Sequence, residues 1–214
     1  MNSQLSQYGY VFIEKFMDDL SCDEIIKQFK NADKDMLQKG SISLNDSNDE
    51  FNVVYTSGRS PLRYCYLKTI ESQEVNLSGM LKLNDLTGLD WSGNINDVCF
   101  PVFKYGVDGF IDGHRGRDVG FGDNDFVAVL MLTEYDEDFS GGEFYLNSDA
   151  SASSDGKTIF NENLKSRIYF KQKKGSLLIF NNRLHVHGTN PVKISPLGLS
   201  TRMTTSWRMT EYKL

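Results

Sequence analysis

Phe126-Val-Ala-Val-Leu-Met-Leu-Thr133 is an uncharged apolar run, rich in β-branched and aromatic side chains, followed by the acidic stretch Glu134-Tyr-Asp-Glu-Asp138. Such a run, bounded by turn-forming and charged residues, reads as a strand. Similar short runs lie on both sides of it. Upstream are Val98 to Tyr105 and Gly109 to Arg115; downstream are Gly142 to Leu146, Arg167 to Phe170, Ser176 to Phe180 and Thr201 to Met209. Short strands in series, separated by Gly, Asn, Asp and Pro, point to an antiparallel sandwich or barrel rather than to βαβ units. Asn147 to Gly156, dominated by Ser, Asp and Asn, reads as a long surface loop between two of them.

The first third has a different character. Tyr10-Val-Phe-Ile13 reads as a strand, and the segment after Ser21 has helical spacing, with Ser21 as N-cap and Glu24 at the capping-box position. Residues 40 to 62 read as loops around one strand, Phe51 to Tyr55, and Leu62 to Met80 as a second helix. The expectation is one mainly β (α+β) domain over residues 1–214, with 1–97 as helical and loop support and 98–214 as the β-core. With 39% hydrophobic and 12% aromatic residues among 214, the chain can bury a core of its own.

A net charge of −6 argues against holding nucleic acid through its phosphates, so a small-molecule substrate is expected. Cys22, Cys65 and Cys99 are widely spaced and form no CxxC pair, which reads as reduced thiols rather than a disulfide framework or a zinc cluster. No basic-then-apolar leader opens the sequence and no run of about 18 apolar residues occurs, so no membrane contact and a cytoplasmic location are expected.

All three histidines fall in the β-rich part. His114 lies in Phe110-Ile-Asp-Gly-His-Arg-Gly-Arg-Asp118, and His185 and His187 in Phe180-Asn-Asn-Arg-Leu-His-Val-His-Gly-Thr-Asn-Pro-Val192. Neutral imidazole suits iron and zinc, and ligands gathered from the ends of different strands commonly build a metal site. His185 and His187 are two apart, so on a continuous strand both would face one side.

These segments, in this order, resemble the Fe(II)/2-oxoglutarate-dependent oxygenase superfamily in its prolyl-hydroxylase-like branch. The resemblance rests on the apolar strand and helix from Gly9, on Lys104-Tyr105-Gly106 leading to His114, and on the apolar strand and acidic stretch ending in Gly141-Gly-Glu143. It continues through Gly175-Ser-Leu-Leu-Ile-Phe180, His187 with Pro191-Val192 after it, and Arg202 on the last strand. It implies a double-stranded β-helix core of the jelly-roll or cupin kind with flanking N-terminal helices. It also implies His114 and His187 as ligands of Fe(II), 2-oxoglutarate and O2 as cosubstrates, and Arg202 as the fork that grips the distal carboxylate of 2-oxoglutarate. Thr204, on the same strand face, is a second donor and Tyr105 a further contact. His185 and Arg115 are candidates for the substrate pocket.

The sequence departs from that pattern at one position. Two residues after His114, where the family carries Asp or Glu, stands Gly116. Within the superfamily an HxG motif resembles the aliphatic halogenases, in which chloride or bromide fills the vacated position and is transferred to a substrate carbon after hydrogen abstraction. That implies halogenation of a small polar molecule, an amino acid or nucleotide-like compound. Asp118 offers an alternative: a contraction of the loop would bring its carboxylate to the metal and restore a hydroxylase acting on peptidyl or free amino acid, although an extended i to i+4 separation is about 13 Å. A third reading is a fold retained only for binding.

Overall fold

The computed structural model describes residues 2–31, 52–56, 60–67, 70–89, 91, 100–116, 121–154, 156 and 158–212. The expectations for residues 40 to 51, for Val98 and Cys99, and for Arg117 and Asp118 fall outside these.

In chain order the elements are α1 (Asn2–Tyr8), β1 (Tyr10–Ile13), α2 (Asp19–Asn31), β2 (Asn52–Thr56), β3 (Ser60–Leu67), α3 (Ile70–Thr87), β4 (Phe100–Tyr105), β5 (Ile111–His114) and β6 (Phe121–Met131). They continue with β7 (Ser140–Gly141), β8 (Phe144–Asn147), β9 (Ser151–Ala152), β10 (Ile159–Phe160), β11 (Ile168–Phe170), β12 (Leu177–Asn181), β13 (Val186–Thr189), β14 (Val192–Lys193) and β15 (Arg202–Tyr212). Seven strands form a large antiparallel sheet in the order β1-β12-β6-β15-β4-β3-β2, and four form a smaller one, β11-β8-β13-β5. Two-stranded pairs β9–β10 and β7–β14 complete the β-structure. This is the double-stranded β-helix expected from the sequence.

Alternation along the strands assigns the layers. Ala128 and Leu130 of β6, Leu132 just beyond it, and Leu177 and Ile179 of β12 pack with Cys22, Ile25 and Phe29 of α2 and with Met80 and Leu83 of α3, on the outer face of the large sheet. The intervening residues Val129, Leu178 and Phe180 meet Phe144 and Leu146 of the small sheet and form the interior of the sandwich. Helix α3 comes so near the sheet that a Cβ on Gly79 would lie 2.9 Å from the Trp207 ring.

Two elements differ from expectation. Helix α2 begins at Asp19, and its cap is Asp18, whose carboxylate accepts from the Ser21 amide at 2.8 Å and the Ser21 hydroxyl at 3.0 Å. Those bonds hold the Asp18 carboxyl below its usual range. Ser21 therefore sits inside the first turn, and Glu24 accepts from Lys27 and Gln28 instead of closing a capping box. The helix expected over Leu62 to Met80 is split: residues up to Leu67 pair with both β2 and β4, and helix starts only at Ile70. Sheet pairing on both sides outweighs the local helical pattern there, and Tyr64, Cys65 and Tyr66 suit a strand. The Cys22 thiol is buried and unbridged, and burial pushes its pKa up to about 12. Among the described residues no helix is long and apolar enough to cross a membrane.

Candidate active site

His114 ends β5 and His187 lies on β13, directly opposite each other in the antiparallel ladder, with ring centroids 4.2 Å apart. The Nδ1 of His114 donates to the Asp112 carbonyl at 2.9 Å, and the Nδ1 of His187 to the His185 carbonyl at 3.3 Å. With both Nδ1 atoms protonated, the Nε2 lone pairs are the ones available to a metal, and each ring is held by a backbone acceptor as metal-bound histidines are. Burial lowers the pKa of His114 and takes that of His187 well below the ordinary value, so both are neutral near pH 7. Phe180 packs on the His187 ring at 4.6 Å and Phe144 stacks on it at 5.9 Å. The paired imidazoles thus fit a soft or borderline divalent metal.

Arg202 starts β15 on the large sheet. Met203 and Trp207 of that strand lie in the helix-covered layer, so Arg202, Thr204, Ser206 and Arg208 face the small sheet. Arg202 is 1% exposed, and none of its three side-chain nitrogens has a well-formed hydrogen bond among the described residues. Tyr105, opposite it in register, lays its ring over the guanidinium, 4.7 Å from centroid to Cζ. Burial lowers the Arg202 pKa and raises that of the Tyr105 phenol. Thr204 is buried on the same face. The Tyr105 phenol within its reach is a neutral partner, and a carboxylate is the natural partner of a buried guanidinium.

The Gly141-Gly142-Glu143 motif builds the wall beside it. Both glycines have positive φ, 59° and 61°, and a Cβ on Gly142 would stand 3.0 Å from Arg202 Cδ and from Val192. Glu143 accepts from Tyr135 Oη at 2.9 Å and Asn190 Nδ2 at 3.1 Å, tying the acidic loop to the segment after β13. Its negative charge also acts on Arg202.

Gly116 is closely packed on the side where a side chain would stand. A Cβ there would lie 2.7 Å from Asn182 Nδ2 and 2.8 Å from Asp125 Oδ2. The Gly116 amide donates to the Asn182 carbonyl at 2.7 Å. Asp125, wholly buried, accepts from Asn182 Nδ2 at 3.1 Å and takes a two-pronged bond from Arg208, 2.9 Å at each oxygen. A side chain at 116 would have to displace these two side-chain ends, one of them a carboxylate. Among the described residues no third His, Cys, Asp or Glu joins the two histidines in a cluster able to hold a metal.

His185 stands between the turn at Asn181–Leu184 and the start of β13, outside the strand that carries His187. Its Nε2 donates to the Tyr8 carbonyl at 3.0 Å and its ring meets Tyr10 edge-on at 5.8 Å; the structure places it against the N-terminal segment. Arg115 follows β5, with its amide bonded to the Gly156 carbonyl at 3.1 Å beneath the β9–β10 segment. Sequence reasoning missed Asp125 with Arg208, whose signal is Arg208 falling on the Arg202 face of β15. It also missed Asp112, two residues before His114, with one buried carboxylate oxygen unpartnered.

No family model matches the sequence, and no curated protein does. Solved structures do match over nearly the whole chain. A prolyl-4-hydroxylase from Pseudomonas putida is 14% identical with a TM-score of 0.59, covering 98% of this chain and 96% of that one. A prolyl hydroxylase from Trichoplax adhaerens, solved with a hypoxia inducible factor peptide, is 14% identical with a TM-score of 0.61, covering 97% and 86%. HygX from Streptomyces hygroscopicus, solved with nickel and 2-oxoglutarate, is 12% identical with a TM-score of 0.55, covering 96% and 84%. At these identities the likeness is one of fold.

Proposed function

We propose that this chain is an Fe(II)- and 2-oxoglutarate-dependent oxygenase that hydroxylates an aliphatic carbon of a small polar substrate or an amino-acid residue. The observation that carries the reading is the buried Arg202 guanidinium, without a well-formed hydrogen bond among the described residues, inside the same sandwich as two neutral histidines whose Nε2 atoms are available to a metal. The shared fold with prolyl hydroxylases and HygX supports it.

His114 and His187 would hold the iron, and their Nδ1 bonds to backbone carbonyls would fix ring orientation before the metal arrives. Arg202 would pair with the distal carboxylate of 2-oxoglutarate through its planar fork, with Thr204 as a further donor and the Tyr105 ring holding the guanidinium flat. Phe144 and Phe180 keep water from one side of the His187 ring. Bound iron, with 2-oxoglutarate and O2, supplies the oxidising chemistry, whose co-products are succinate and carbon dioxide. Asp118 is the proposed third, carboxylate ligand.

Halogen transfer is the second reading, with chloride or bromide in place of the carboxylate. It is favoured by Gly116 itself, which brings no ligand. It is disfavoured by the close packing beside Gly116, where the Asn182 amide and the Asp125 carboxylate already stand. Anaerobic titration of the Fe(II)–2-oxoglutarate absorption band with chloride separates the two. The hydroxylase reading expects a band indifferent to chloride and a large loss of iron affinity in Asp118→Ala. A chloride-dependent band with unchanged iron affinity in that variant would turn the assignment to halogen transfer. If 2-oxoglutarate gives no succinate with any substrate or halide, both readings fall.

A further inference from the structure

The two facing histidines are held differently. His114 Nδ1 donates to the Asp112 carbonyl within its own strand, whereas His187 Nδ1 donates to the carbonyl of His185, which stands before β13. The turn that carries His185 is stiff in itself. Asn181 Oδ1 accepts from the Arg183 and Leu184 amides at 2.9 and 3.1 Å, and the His185 amide donates to the Asn181 carbonyl at 3.2 Å. From outside, one short stretch grips this turn at both ends: the Gly9 carbonyl accepts from the Asn181 amide at 2.7 Å, and the Tyr8 carbonyl accepts from His185 Nε2 at 3.0 Å.

Gly9 makes the grip possible. Its φ of +72° turns the chain from α1 into β1, and a Cβ there would stand 2.5 Å from Leu184 Cδ2 and 2.8 Å from His185 Nε2. His185 is 2% exposed and meets the Tyr10 ring edge-on at 5.8 Å. A leucine would fill such surroundings as well; what the imidazole adds is a donor aimed at a main-chain carbonyl. The partner that orients a metal-bound histidine helps to set how tightly the metal is held, and here that partner is the carbonyl of His185 itself.

We propose that His185 is a positioning residue for the metal centre: its bond to Tyr8 clamps the Asn181–His185 turn onto the Tyr8–Gly9 link and so holds the carbonyl that orients His187. The N-terminal segment is thereby part of the metal site without supplying a ligand. This rests on the oxygenase reading in taking His187 as a metal ligand.

The test is calorimetric titration of the full chain with Ni(II), alongside thermal unfolding of the metal-free protein. His185→Leu removes the donor and should weaken Ni(II) binding about tenfold, the lower end for a group that orients a metal-bound histidine. His185→Gln, whose amide reaches the Tyr8 carbonyl, should restore most of the affinity. Gly9→Ala should weaken binding to a similar degree, and the double variant Gly9→Ala with His185→Leu should be no weaker than the worse single one, since both release the same clamp. Gly79→Ala, crowded against Trp207 on the helix-covered face, is the control: it should lower the unfolding temperature and leave Ni(II) affinity unchanged. Wild-type Ni(II) affinity in His185→Leu, or a His185→Gln variant as weak as His185→Leu, overturns the role of His185. An equal loss of Ni(II) affinity in Gly79→Ala reduces the effect to stability and overturns it as well. If His187→Ala binds Ni(II) as tightly as wild type, the metal reading of His187 falls and this one with it.

Discussion

Gly116 shows how much the meaning of a residue depends on its neighbours. In sequence it is an absent ligand; in the fold it is the point where the chain after β5 closes against Asn182 and Asp125. Gly116→Ala should cost about 1–3 kcal/mol by overpacking, measured by urea unfolding. Gly116→Asp should be at least as destabilised and should gain no iron affinity, because its side chain would enter occupied space beside an existing carboxylate. Arg202 behaves in the opposite way: its sequence context implied an anion partner, and the structure leaves its buried nitrogens without a well-formed bond. Arg202→Lys retains charge but not the fork, and should raise the dissociation constant for 2-oxoglutarate by about tenfold or more in calorimetry.

At the scale of elements, β15 organises the interior. One face carries Met203 and Trp207 into the helix-covered layer; the other carries Arg202 at one end and Arg208 at the other. Arg208 neutralises Asp125, which is completely buried while Arg208 remains partly exposed. Removing the arginine would strand a buried carboxylate. Arg208→Gln should therefore destabilise the protein by about 2–3 kcal/mol, toward the low side for a buried pair because the arginine reaches solvent. Asp125→Asn in the same chain should recover a good part of that loss in chemical denaturation. The local signals that misled were also element-scale ones. Ser21 and Glu24 matched a capping box, yet Asp18 already satisfied the first-turn donors, and the helical spacing after Leu62 yielded to the ladder with β2 and β4.

For the whole molecule, the histidines link stability to pH. His114, His185 and His187 all have pKa values lowered by burial. In the unfolded chain each regains the ordinary value of 6.5, so below that pH the unfolded state binds more protons than the folded one. Stability is thus held above pH 6.5 and lost as the pH falls toward the folded-state values, at up to about 1.4 kcal/mol per pH unit for each histidine. Urea midpoints at pH 7.5 and 5.5 should show the drop in metal-free protein, and divalent metal should oppose it by holding His114 and His187 unprotonated. The antiparallel β architecture, the places of β1, β4, β6, β12 and β15, and the candidates His114, His187 and Arg202 were all legible in the sequence. Periodicity and turn residues act locally, and the ordered motifs leave their mark in residue types at fixed spacing. Packing Asp125 and Asn182 against Gly116, setting His185 against the N-terminal segment, and laying the Tyr105 ring over Arg202 were decided only by tertiary structure. Each depends on which strands lie side by side, and pairing between residues tens of positions apart is a property of the folded sheet rather than of any local stretch of chain.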